Sequence, residues 1–426
     1  MKLEILSYAV TFLVVVCSVA SAQDLNVDWH GHIKGLLNVQ TYPGDSLINQ
    51  LGYNETLDIN SDTRLGLDSS MGAWKLNVDY QFVTLAGERY ELAQRLPANP
   101  LLPAREINDD HRLFDLTHVI TTHDRHALVQ RLDRLSLSVH FDNLVLKAGR
   151  QAISWGNGLI YAPMDFFNPF SPASIDKEYK SGDDLFYGQY LTERGDDVQF
   201  VWVGRRDVQG NVSSKVDSLA VKYHSFGEES EWDFLLGEHF EDDVAGLGFV
   251  SNIGSAVWRS DATLTRTADK NVWSFVSNWS YSWVWADKNI SAIAEYYYNG
   301  FGQAGGNYSA AALANNPALL SRIARGELYT LGRHYLASSL TIEMSPLWLL
   351  TPSTFINLSD SSALFQVISQ HDIEQDLQLL VAVNLPVGAK GTEFGGIEVS
   401  CNLAADSQTC NLATDLSLQA QIAWYF

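Results

Sequence analysis

The stretch Leu416–Phe426 constrains the fold more than any other. Leu416, Leu418, Ala420, Ile422, Trp424 and Phe426 alternate with Ser417, Gln419 and Gln421. A period of two means a strand with two unlike environments. The apolar face is rich in aromatics and no charge follows it, so an unpaired edge here would invite aggregation. The pattern predicts a strand that must be paired on both sides, and a sheet closed on itself is the arrangement that leaves no edge.

Residues 1–22 read as a cleaved secretory signal. Lys2 precedes an apolar run from Tyr8 to Val19, and Ala20-Ser21-Ala22 supplies the small residues of a cleavage site, so the mature chain is expected to be 23–426. The run falls short of the roughly 20 apolar residues of a membrane helix, and no other stretch approaches that length. The chain is 46% hydrophobic, yet its mean hydropathy is −0.08. Apolar residues are therefore diluted by polar ones strand by strand, as a barrel that crosses a membrane requires. Cys401 and Cys410 lie in one late loop, and in an exported protein they are expected to form a disulfide.

Alternation recurs along the whole mature chain, which reads as one domain. The predicted strands include Leu25–Tyr42, Thr63–Asp68, Trp74–Phe82, Leu132–Phe141, Leu144–Ile153, Asp197–Arg205 and Lys215–Phe226, and they end with Leu377–Leu385 and Leu416–Phe426. The count is eighteen, with sixteen as the alternative. The connections sort by parity. Long ones at 43–60, 84–131, 156–183, 300–329 and 386–415 are all odd-numbered, and the even-numbered ones are short. An all-β, transmembrane, antiparallel up-and-down β-barrel predicts this, with short turns in the periplasm and long loops outside. A soluble sandwich has no reason to segregate loop length in this way. Trp29, Trp74, Trp232, Trp258 and Trp348 start upward strands, while Trp283, Trp285 and Trp424 end downward ones. All eight then fall near one membrane interface, as a girdle.

So many strands enclose more space than their side chains fill, and an aqueous channel follows. Lys75, Arg134, Lys147, Arg150, Lys222, Arg259 and Glu295 are the expected pore-lining residues. The chain carries −22, but much of that charge sits in loops, so net charge does not set pore selectivity. The inward bases instead predict a mild preference for anions. The loop at about 156–183 is rich in Gly, Pro and aromatics, which end a strand and shun water. It is expected to fold inward and narrow the channel, bringing Trp155, Asp165, Asn168, Asp176, Lys177 and Glu178 with it. Asp165 and Glu178 are expected to hold some of the pore bases. Asn316-Pro317 through Gly326 reads as a short capped helix whose Leu319, Leu320 and Ile323 need a surface.

The terminal strand ending in Phe426 resembles the last strand of Gram-negative outer-membrane barrels. The run with Arg150-Gln151, Trp155-Gly156 and Asn168-Pro169 resembles the porin superfamily, in which a long early loop bends into the lumen. The resemblance implies residence in the Gram-negative outer membrane, contact with lipid and lipopolysaccharide, and passive diffusion of small hydrophilic solutes. It also makes Phe426 part of an assembly signal. A homo-oligomer is left open. Two other roles compete: a barrel that sheathes an electron-transfer partner, and an outer-membrane hydrolase. No nucleophile motif, phosphate loop, haem-attachment pair or nucleic-acid patch is present. The chain is therefore read as a non-enzyme with no catalytic residue, no cofactor and no nucleic-acid partner. His111, His118, His123 and His126 lie among aspartates, but their spacing fits no closed metal site.

Overall fold

The computed structural model describes residues 25–96, 101, 108–401 and 408–426; the expected signal segment lies outside them. The first strands are β1 (Leu25–Thr41), β2 (Glu55–Met71), β3 (Trp74–Ala86), β4 (Thr117–His123), β5 (His126–Phe141), β6 (Leu144–Gln151) and β7 (Asp183–Leu191). Next come β8 (Asp197–Val203), β9 (Ser218–Phe226), β10 (Ser230–His239), β11 (Asp242–Ile253), β12 (Ala256–Arg266), β13 (Asn271–Trp285) and β14 (Lys288–Tyr298). The last are β15 (His334–Ser345), β16 (Trp348–Asn357), β17 (Ser362–Glu374), β18 (Leu377–Val387), β19 (Glu398–Cys401), β20 (Gln408–Asn411) and β21 (Leu416–Tyr425).

The main sheet is a closed antiparallel barrel of eighteen staves, to which β4 is added as a flap on β5. β21 pairs with β18 on one side and with β1 on the other, so no edge remains. The seam is finished by two backbone bonds: Gly31 N–H to the Phe426 carbonyl at 2.9 Å, and Phe426 N–H to the Gly31 carbonyl at 3.1 Å. Glycine is needed there. A Cβ at position 31 would lie 2.4 Å from the Arg64 carbonyl oxygen and 2.6 Å from the Phe426 ring.

Apolar side chains point outward on stave after stave. Trp29, Trp74, Phe234, Trp285, Ile422 and Trp424 are among those exposed. A soluble monomer does not display a continuous belt of this kind. The eight tryptophans gather toward the end where the turns are tight, at 72–73, 142–143, 286–287 and 346–347. The described residues of the long connections, 42–54, 87–125, 152–182, 299–333 and 388–415, lie at the opposite end. The expected parity holds.

Three expectations are corrected. β2 is much longer than Thr63–Asp68, because Ser61 and Thr63 interrupt its outward apolar face without ending the strand. β5 starts at His126, and β4 has no counterpart among the expected strands. β6 leaves the wall at Gln151, and β4 takes its place beside β5 above that point. The connection 204–217 is also longer than expected. The helix at Pro317–Ala324 forms as expected; it buries Leu319 at the long-loop end against Phe301, Tyr308, Leu331 and Ile397. Cys410 is disulfide-bonded; the side chain of its expected partner Cys401 lies outside the described residues.

Candidate functional site: the lumen and its inner segment

The segment 152–182 enters the lumen and is fastened to the inner wall at three places. The first is apolar. Trp155, Met164, Phe166 and Phe167 pack on Leu185, Val201, Val203, Ala220, Leu235 and Val244, the inward residues of β7 to β11. Trp155 also donates its indole N–H to Gln199 at 2.7 Å. This side of the wall is apolar because the segment covers it.

The second place is a pair of buried carboxylates. Asp261 on β12 accepts the backbone N–H groups of Asn157 at 2.6 Å and Gly158 at 3.2 Å. Glu295 on β14 accepts those of Leu159 at 2.8 Å, Ile160 at 3.1 Å and Tyr161 at 2.6 Å. Successive N–H groups converging on an anion form a nest, worth more in a dry interior than in water. Tyr161 then stacks on Tyr297, 4.8 Å between ring centres.

The third place is the seam. The Ala173 carbonyl accepts from Gln366 of β17 at 2.9 Å. Asp176 accepts from Lys34 of β1 at 2.6 Å and from Gln421 of β21 at 3.0 Å. Glu178 also pairs with Lys34 and accepts from Tyr425 at 3.0 Å. Tyr179 lies under the Arg64 guanidinium, 4.3 Å from the ring centre. Burial acts to raise the Asp176 carboxyl, but Lys34, the Glu178 N–H and Gln421 outweigh it and hold the group below its ordinary range.

Two polar chambers flank this third fastening. One, of about 380 Å³, lies against β1, β2, β3 and β5 and is bounded by Arg64, Gln81, Arg131, Asp133 and Tyr179. The other, of about 420 Å³, lies against β17, β18 and β21 and is bounded by Lys177, Gln370, Gln378 and Tyr425. Asp176 and Gln421 line both. Most charges in the first chamber are held in pairs. Arg64 lies 2.9 Å from Asp133, Arg131 lies 3.5 Å from Asp133, and Asp62 accepts from Gln81 at 2.7 Å.

The expected site residues are distributed as follows. Lys75 and Lys147 have no ion-pair partner among the described residues, and Arg259 donates only to Ser280, at 2.8 Å. Lys222 lies 3.3 Å from Asp233, and Arg134 lies 2.6 Å from Asp133. Two expected pore liners do not face open water. Arg150 is 1% exposed and bound to Asp109 and Asp184, both at 2.8 Å. Glu295 is 1% exposed beneath the segment that it anchors. The inner segment also differs from expectation. Asp165 pairs with Lys180 of its own segment at 2.6 Å, and Glu178 pairs with Lys34, so neither holds Arg134, Lys147, Lys222 or Arg259. Burial pushes Asp165 up to about 6, against the pull of Lys180. Asn168 takes a positive φ of 53°, a conformation that asparagine tolerates better than most residues, and Pro169 follows it. Lys177 donates to the Pro172 carbonyl at 3.2 Å.

Lys34, Arg64, Asp133, Tyr179 and Gln421 were not singled out from sequence. Alternation puts Lys34 and Gln421 on inner faces, but nothing local says which loop residue will meet them.

A closed eighteen-stave barrel with a segment folded into its lumen is the architecture of outer-membrane porins. No family model matches the chain, and no curated protein matches it. Solved structures do match in fold. OccAB3 of Acinetobacter baumannii has a TM-score of 0.53 at 8% identity, over 94% of this chain and 99% of that one. A BenF-like porin from Pseudomonas fluorescens Pf-5 has 0.51 at 8% identity, over 94% and 98%. Wzi of Escherichia coli, described as a carbohydrate-binding β-barrel involved in group 1 capsule assembly, has 0.50 at 11%, over 93% and 84%. At such identities the likeness is one of fold.

Proposed function

We propose that this chain is a Gram-negative outer-membrane channel for passive diffusion of small hydrophilic solutes. The observation that carries the reading is the pair of polar chambers on either side of the inner segment, sharing Asp176 and Gln421. The outward apolar belt fits a bilayer, with tight turns on the periplasmic side and long loops toward lipopolysaccharide. One of the solved structures with this fold is named as a BenF-like porin, which supports the same role. The chain acts as a channel and not as an enzyme. A sheath around a partner protein needs an empty lumen, and the inner segment occupies that space.

The channel prefers anions mildly. Lys75, Lys147 and Arg259 sit on inward faces without a carboxylate partner among the described residues, and in a narrow lumen such charges raise the local anion concentration. Reversal potentials of the purified protein in a planar bilayer, under a salt gradient, test this. The expected potential has the anion-selective sign. It shrinks as salt is raised, because the screening length falls to about 3 Å at 1 M. A cation-selective potential, unchanged by Lys147→Ala with Arg259→Ala, would refute the preference.

A further inference from the structure

The inner wall is divided by chemistry. From β7 to β11 it is apolar and covered by Trp155, Met164, Phe166 and Phe167. Around the seam it is lined by amides: Asn60 and Gln81 in one chamber, Gln370 and Gln378 in the other, and Gln421 where the two meet. The charges along this route cancel. The two chambers together present four lysines or arginines and four aspartates or glutamates. Most of these are already bound to one another: Lys34 to Asp176 and Glu178, and Arg64 to Asp133. Lys75, Lys147 and Arg259, which have no carboxylate partner among the described residues, line neither chamber; Lys177 lines one of them.

A charged solute entering this route gains little, since all but Lys177 of the wall charges it would use must first leave a partner, and breaking such a pair is costly. A neutral solute with many hydroxyl groups meets the opposite situation. Gln81, Gln378 and Gln421 each spend one N–H on an aspartate, at 2.7, 3.0 and 3.0 Å, but a carboxamide has a second N–H and two lone pairs on its oxygen, and hydroxyls can meet what is left without any change in charge. The spacing along the route matters too. A solute released from Gln81 finds Gln421 next and then Gln370 or Gln378, and a series of weak sites is what passage requires. Either chamber falls within the roughly 300–1,000 Å³ of ordinary small-molecule sites.

We infer that the seam-side route is a translocation path for neutral polyhydroxylated solutes of monosaccharide size, with Gln421 as the residue that each solute must pass. The inference rests on the channel reading and adds a solute class to it. The weak anion bias of small ions is a separate property, set by the cations outside the two chambers.

The test is swelling of liposomes containing the full protein in glucose, gluconate and glucosamine, which match in size and differ in charge. Mildly acidic buffer keeps the amine charged. Glucose is expected to enter faster than either charged analogue. Gln421→Ala should slow glucose about fivefold, the factor that one hydrogen bond of ordinary strength is worth. Gln421→Glu should slow glucose and gluconate more than glucosamine. Heat-modifiability of each variant confirms that the barrel has formed. Equal rates for the three solutes, or a faster charged solute, in a protein that conducts ions would overturn the solute class alone. Absence of both swelling and ion conductance would overturn the channel reading itself.

Discussion

Lys34 on β1 and Asp176 on the inner segment meet at 2.6 Å across the barrel seam. The lysine side chain is only 6% exposed, and it also holds Glu178. This clasp ties the segment's far end to the wall between the two chambers. Removing the lysine leaves two carboxylates facing each other with no cation. Lys34→Ala should therefore loosen the segment at a cost of about 2 kcal/mol, below the 3–5 of a fully buried pair because Glu178 is 42% exposed. Single-channel recordings should show a larger, noisier conductance. Unchanged conductance would mean that the clasp does not bound the path.

Glu295 should matter for position and not for selectivity. Glu295→Ala strands the N–H groups of Leu159, Ile160 and Tyr161, each at a cost of about 1–3 kcal/mol. Hydrogen exchange at 157–161 is expected to accelerate, with the barrel staves still protected. Slow exchange there in the variant would show that apolar packing alone holds the segment.

Closure depends on Phe426 and Gly31 together. Deleting Phe426 removes the two backbone bonds that finish the seam beyond the His32–Thr41 ladder, and Gly31→Leu drives a side chain into the Arg64 carbonyl. Both changes should lower the folded, heat-modifiable fraction in the outer membrane. Normal assembly of either variant would contradict the account of the seam.

The outline of this barrel was legible because period two is a local signal and loop parity is a simple count. Trp74, Leu76 and Val78 declare their face without reference to any other stave. The strand that was missed, β4, is His- and Thr-rich and has no apolar face to declare. What sequence did not disclose was pairing at a distance. Lys34 and Asp176 are 142 positions apart, and Arg150 looks like any inward base until Asp109 folds over it. Glu295 was placed on the correct face, but its role depends on three amides more than a hundred positions away.

One loop should respond to pH. Glu393, in the connection 388–415, is enclosed with Tyr335 and Asn357, and burial pushes its carboxyl from near 4.5 up to about 7. A raised pKa means that the folded loop favours the protonated form. The stabilisation is fully present below the ordinary value and is lost as pH rises through about 7. Hydrogen exchange at 388–397 should be slower in mildly acidic than in mildly alkaline buffer, after correction for intrinsic rates. Glu393→Gln should flatten that difference; an unchanged pH dependence in the variant would assign it to another group.

Solutes are expected to pass along the seam, by Asp176 and Gln421. Single-channel current through Gln421→Cys, recorded before and after a bulky thiol-specific reagent, measures that passage. Discrete current steps should fall sharply on modification, while the wild-type protein, whose Cys410 is already disulfide-bonded, is unaffected. Absence of steps, or steps that survive complete modification of position 421, would contradict it.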